Sequence, residues 1–148
     1  MVKSGDRLRL VEDISGVLES LIVKVNEVLN STLDDRDKFD KLKNVVLPEC
    51  KSSFQNVLVN HADLAHEDLE FCKSVGSAVL NNFSTLDAIK PIPGAKNQSF
   101  NLARSIVSMI CVSFIRAIAS RDPRGDFLDV TESLIASVDS LSTHMKVA

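Results

Sequence analysis

The chain has no tryptophan and no tyrosine, so its aromatic content is seven phenylalanines. Without Trp or Tyr there is little to stack on an exposed base. Basic residues are dispersed: no two Lys or Arg are adjacent, and the net charge is −3. Nucleic-acid binding needs a clustered basic face that displaces counterions from phosphates, and nucleic acid is therefore not an expected partner. Cysteine is scarce as well. Cys50, Cys72 and Cys111 are odd in number and widely spaced, which fits neither a disulfide framework nor a zinc site and points to a reducing, intracellular compartment. The N-terminal run MVKSGDRLRL has no apolar signal-peptide core, and the C-terminal run SLSTHMKVA is too polar for a tail anchor. Only eleven residues separate Arg104 from Arg116, fewer than the ~20 that cross a bilayer, so no transmembrane anchor is expected. The sequons at Asn30, Asn82 and Asn97 read as chance matches in a chain with no secretory signal.

Catalytic signals are equally sparse. There is no G-x-S-x-G, no H-E-x-x-H and no Gly-rich phosphate loop. His61 and His66 are five apart and do not share a helical face as an i, i+4 metal pair would. The acidic cluster Asp34, Asp35 and Asp37 reads as a solvated helix start, where acids oppose the positive end of the dipole. The cysteines read as small core residues, and Arg124-Gly125-Asp126 as a turn. Neither an enzyme nor a bound cofactor or metal is expected.

What remains is apolar periodicity. With 148 residues, 45% of them hydrophobic, the chain suits one domain that buries roughly 68–70% of its unfolded surface. Five Gly and four Pro are too few for a fibrous or disordered chain. Residues 6–30 carry Leu10, Ile14, Val17, Leu18, Leu21, Val25, Val28 and Leu29 at three- and four-residue steps, the signature of a long amphipathic helix that Ser4 or Asp6 can cap. A short helix comes next at about 36–46 and is expected to stop at Pro48, which opens the next at about 49–60. Residues 63–83 are helical, with a break expected near 68–72. KPIPGAKNQ, residues 90–98, is a loop. The central helix at about 101–119 starts with Ser99 or Asn101 as its cap. Leu102, Ile106, Met109 and Ile110 line one side; Ala103, Val107, Cys111, Phe114 and Ile118 line another. A helix apolar on nearly every side is expected to be surrounded by protein. After the turn RDPRG, a last helix covers about 126–144. No strand pattern competes, so the fold class is all-α, a helical bundle around a central helix hairpin.

Arg104 stands out. It sits in the first turn of the most apolar helix, where a cation meets the positive end of the dipole, and a charge beside a core needs a partner. Two sources of compensation remain open: an internal partner or solvent, reached by snorkelling, or an acidic group from another protein.

Asn101-Leu102-Ala103-Arg104, followed by Ile106-Val107, resembles the first homology motif of the Bcl-2 family of apoptosis regulators, Asn-Trp-Gly-Arg-Ile-Val. There too the motif opens a central helix after a loop. Leu58-x-x-x-Ala62-Asp63, with Phe54 one turn earlier, resembles the family's third motif. Leu102 stands for the usual Trp, Ala103 for the Gly, and one residue is added before Ile106-Val107. This erosion resembles that of virus-encoded members. The resemblance implies that an amphipathic helix of a pro-apoptotic Bcl-2 family protein lies in a groove formed by helices at about 49–83 and floored by the central helix. Its apolar anchors would meet Val57, Leu58, Leu69, Val75, Val79 and Phe83. Its aspartate would pair with Arg104, beside Asn101 and Ala103. The implied location is a host cytoplasm, with peripheral contact at the mitochondrial outer membrane, and an empty apolar groove favours a homodimer. The competing expectation is a coat, scaffold or adaptor bundle with the same amphipathic helices and no peptide groove.

Overall fold

The computed structural model describes the backbone of residues 3–61 and 66–147 and the side chains of residues 7–61 and 68–140. Regular structure among the described residues is entirely helical, in an all-α bundle. Ala62, Asp63, Leu64 and Ala65 lie outside the described residues, as do the side chains of Ser4, Asp6, His66, Leu141 and His144.

Helix α1 spans Lys3–Leu29. Its three- and four-residue steps bury Leu10, Val11, Ile14, Leu18, Leu21, Ile22, Val25 and Val28 along one continuous face. Its last carbonyls lie beyond the regular ladder, and the Ser31 amide reaches Val28 O at 3.2 Å. The Ser31 hydroxyl donates to Val28 O at 2.7 Å, and the Lys38 ammonium to Leu29 O at 2.8 Å. Asp34 caps α2 (Asp35–Lys41), accepting from the Asp37 amide at 2.8 Å.

The expected stop at Pro48 does not occur. Helix α2 runs through a π-helical stretch, Leu42–Val46, directly into α3, Leu47–Asn60. The Leu47 amide reaches back five residues to Leu42 O. Proline at position 48 has no N–H to donate and crowds the carbonyl four residues earlier. A locally widened turn lets the rod pass that point, with Pro48 in the first turn of α3. The break expected near 68–72 is also absent: α4 is continuous from His66 to Asp87.

After the loop comes α5 (Gln98–Ile106), a second π-helical stretch (Val107–Val112) and α6 (Ser113–Ala119), together one rod. The Asn82 side-chain amide on α4 donates to Met109 O at 2.6 Å and to the Ser113 hydroxyl at 2.8 Å. Ser113 itself donates to Met109 O. A carbonyl that the widened ladder leaves short of partners is thereby satisfied from a neighbouring helix. Asn82 is committed to this joint. A tight turn comes after the rod, in which the Asp122 carboxylate accepts from the amides of Asp126 (2.6 Å) and Phe127 (3.0 Å) and Gly125 takes φ +74°. Helix α7 covers Leu128–Val147.

One contiguous core unites these elements, from Leu10 to Leu134. Helix α1 packs between α3 and α7, α4 lies on α6 and the second π stretch, and α5 lies on α2. Phe54, Phe83 and Phe114 are fully buried, with the Phe54 and Phe83 rings 6.5 Å apart. The central rod Gln98–Ala119 is 22 residues long, so it extends past both flanking arginines and is long and apolar enough to cross a membrane. Half of that stretch is buried inside the bundle, as the core helix of such a fold requires. It is not enclosed on every side, however: Asn101, Arg104 and Ser108 form an exposed stripe along α5 and the π stretch.

Candidate functional site

The start of α5 is built from a distance. Neither Ser99 nor Asn101 is its cap. Asn97 holds the capping position with φ 60° and makes no side-chain cap bond. The Asp35 carboxylate, at the head of α2, instead accepts from the Gln98 amide (3.0 Å), the Ser99 amide (3.0 Å) and the Ser99 hydroxyl (2.7 Å). One member of the acidic cluster thus serves as a cap in trans, satisfying orphan amides and opposing the helix dipole. Burial would raise the Asp35 pKa, but the bonds from Ser99 and Gln98 and the nearby Lys38 charge outweigh it and hold the carboxyl below its ordinary value.

One helical turn on, Arg104 is exposed, and its guanidinium stands 6.0 Å from the Phe100 ring centre, at the outer limit of a cation–π contact. No carboxylate is paired with it among the described residues. The internal ion pair that could have compensated this charge is therefore not made within that set.

The apolar cleft lies elsewhere, between α3 and α4. Leu69, Cys72, Lys73, Gly76, Ser77 and Leu80 recur at i, i+3, i+4, i+7, i+8 and i+11 on one face of α4, and Leu58 and Val59 close the other wall. The cleft volume is about 430 Å³. Three small residues, Cys72, Gly76 and Ser77, form its waist between the larger Leu58, Leu69 and Leu80. Gly76 is central to this shape. A Cβ added there would sit 3.0 Å from Leu58 Cδ1, so glycine lets the two helices approach and keeps the floor low. Both ends of the α3–α4 corner are fastened to α1. His61 Nε2 lies 2.9 Å from the Asp13 carboxylate, and Asp68 pairs with Arg7, which also stands 5.3 Å from the Phe71 ring centre.

The residues expected to form the site fall into three groups. Leu58 and Leu69 line the cleft, whereas Val57 is half-buried against the core and does not line it. Val75, Val79 and Phe83 lie on the adjoining, inward face of α4 and are fully buried in the core, as is Ala103. Their side chains are enclosed by the bundle itself. Asn101 and Arg104 are exposed on α5, which packs on α2, and they do not line the α3–α4 cleft. Val59, Cys72, Lys73, Gly76 and Leu80 line the cleft although the sequence pattern does not mark them as site residues. A second stripe on α4, one residue out of phase with the core stripe, is the signal that points to Cys72, Lys73, Gly76 and Leu80; Val59, on α3, has no such signal.

The cysteines carry no nucleophile. Burial pushes the Cys50 and Cys111 thiols up to about 12, and burial raises Cys72 as well. Two further clefts flank α1. One of about 680 Å³ is shared with α7 and lined by Ile22, Val23, Ser133 and Ala136 among others. One of about 340 Å³ is shared with α3. Comparisons with protein families, curated proteins and solved structures found no match to this chain.

Proposed function

We propose that the chain is a helix-binding, Bcl-2-like protein, of the virus-encoded kind, that sequesters the amphipathic death-motif helix of pro-apoptotic Bcl-2 family proteins and so blocks cell death in a host cytoplasm. The observation that carries this reading is the α3–α4 cleft. It is apolar, open to solvent, and long enough for a helix: from Leu69 to Leu80 the axis of α4 rises about 16 Å, or three turns. Apolar anchors at i, i+4 and i+7 of a bound helix span about 10 Å and fit within that length. Arg104 lies on α5 outside the cleft lining, but it is exposed and has no carboxylate partner among the described residues, so it is available to an acidic residue of a partner that extends beyond the cleft.

The test is calorimetric titration with a panel of death-motif peptides. Binding is expected, and Val59→Glu, which places a charge at an exposed position on the cleft wall, should weaken it by at least about 1 kcal/mol. Arg104→Ala reports on how far the bound helix extends. A pair left exposed is worth about 0.2–1 kcal/mol, whereas one that the helix covers costs ~2–5 kcal/mol to truncate. Failure of every peptide to bind removes this reading in favour of a scaffold or adaptor bundle. That second reading draws on the larger α1–α7 cleft and on the exposed Val23 within it.

A further inference from the structure

Among the described residues, the α3–α4 cleft is lined by a single charged side chain. Of the eight described residues that line it only Lys73 is charged; the rest are aliphatic, Cys, Gly or Ser. Lys73 is exposed and lies on the same face of α4 as Leu69, Gly76 and Leu80. No carboxylate is paired with it among the described residues, although Glu70 is only one turn away. An ammonium at the edge of an apolar cleft keeps its hydration while the cleft is empty. A helix that occupies the cleft strips part of that water, and a carboxylate on its flank replaces it with a stronger, charge-assisted bond than a neutral acceptor would.

We infer that the occupant of this cleft is an amphipathic helix carrying a carboxylate beside its apolar stripe, and that Lys73 selects for that carboxylate. The inference rests on the helix-binding reading and adds the charge of the partner to it. The chain as a whole carries −3, so a generally acidic helix is repelled at long range. Attraction must come from a local cation, and Lys73 is the one cation in the cleft lining among the described residues. Selection therefore concerns one flanking position of the partner helix and not its net charge.

The experiment uses the full chain and the tightest-binding death-motif peptide, remade with Glu, Gln or Lys at each position flanking its apolar stripe in turn. At one flanking position the Glu peptide should bind wild type about threefold more tightly than the Gln peptide, with the Lys peptide weaker still, as partly exposed ion pairs do. Raising salt to about 1 M should erase the preference. In Lys73→Glu the order should invert, so that the Lys peptide binds best; that exchange shows a direct pair and not a general effect of charge on the fold. Equal binding of the Glu, Gln and Lys peptides at every position, with binding itself intact, overturns the role of Lys73 and leaves the cleft reading standing. Absence of binding by every peptide overturns both.

Discussion

Asp35→Ala removes a side chain that is remote from the central helix in sequence and yet caps it. Three bonds disappear together: two to backbone amides of the first turn and one to the Ser99 hydroxyl. Loss of a helix cap costs about 1 kcal/mol. Ser99 is buried, and a buried hydroxyl left without its acceptor adds about 1 kcal/mol or more. The expected destabilisation is thus about 2–3 kcal/mol, which moves a urea midpoint by about 1 M at a slope near 2 kcal/mol/M. Asp35→Asn keeps one acceptor oxygen and loses the charge, so it should fall between wild type and Ala. The pH dependence has a definite sign. The folded-state pKa of Asp35 is depressed, and the unfolded value is about 3.9. The carboxylate therefore contributes its full stabilisation above about pH 4 and loses it as pH falls through the folded value. The gap between wild type and Asp35→Ala should close in acid. Equal urea midpoints at pH 7, or a gap that stays constant down to pH 2, would refute the cap in trans.

The same contacts bear on other perturbations. Asn82→Ala removes the bonds to Met109 O and the Ser113 hydroxyl but leaves Met109 O its bond from Ser113, and should cost about 1 kcal/mol by chemical denaturation. It should also speed amide hydrogen exchange across 107–113 before other segments. With thiols pushed to about 12 and largely enclosed, Cys50 and Cys111 should resist a thiol-reactive dye at pH 7.5 in the native protein and react at once in denaturant. Rapid native-state labelling at either residue contradicts the packing described. Gly76→Ala should raise the helix propensity of α4 by about 1 kcal/mol yet force Leu58 aside. Its stability gain should therefore fall short of that figure, and its affinity for a helical peptide should drop.

Much of the fold is legible because apolar spacing reports directly on which face is buried. Leu10, Ile14, Leu18, Leu21 and Val25 predict α1 and are all in the core, and the 121–125 turn and the 90–98 loop are marked by Pro and Gly. The illegible features depend on contacts between segments distant in sequence. A carboxylate that caps its own helix leaves a local pattern, but Asp35 acts across more than sixty residues, and nothing near Ser99 announces it. Pro48 follows the ordinary rule for a helix stop, and only the widened turn before it lets the rod continue. Arg104 is conspicuous through its position on the dipole, and it is free of carboxylates among the described residues. The cleft residues are harder to find. On α4 the core stripe of Val75, Val79 and Phe83 hides a second stripe that is less apolar because its middle is Cys, Gly and Ser. Small residues score weakly on any hydrophobic pattern although they give a cleft its depth.

The π-helical stretch at 107–112 has a consequence for engineering. An α-helix that gains one residue turns everything beyond the insertion by about 100°, which would swing Phe114 and Ile118 out of the core. A turn closed five residues back holds one residue more than a turn closed four back, so it absorbs an insertion without rotating the residues beyond it. Ser105 is the residue that this chain has in excess of the motif it resembles, and the wide turn begins two positions later. Deleting Ser105 should therefore be tolerated far better than deleting a residue elsewhere in a buried helix. The rod should shorten by one residue, revert to an ordinary α ladder, and leave Arg104 facing outward and Phe114 facing inward.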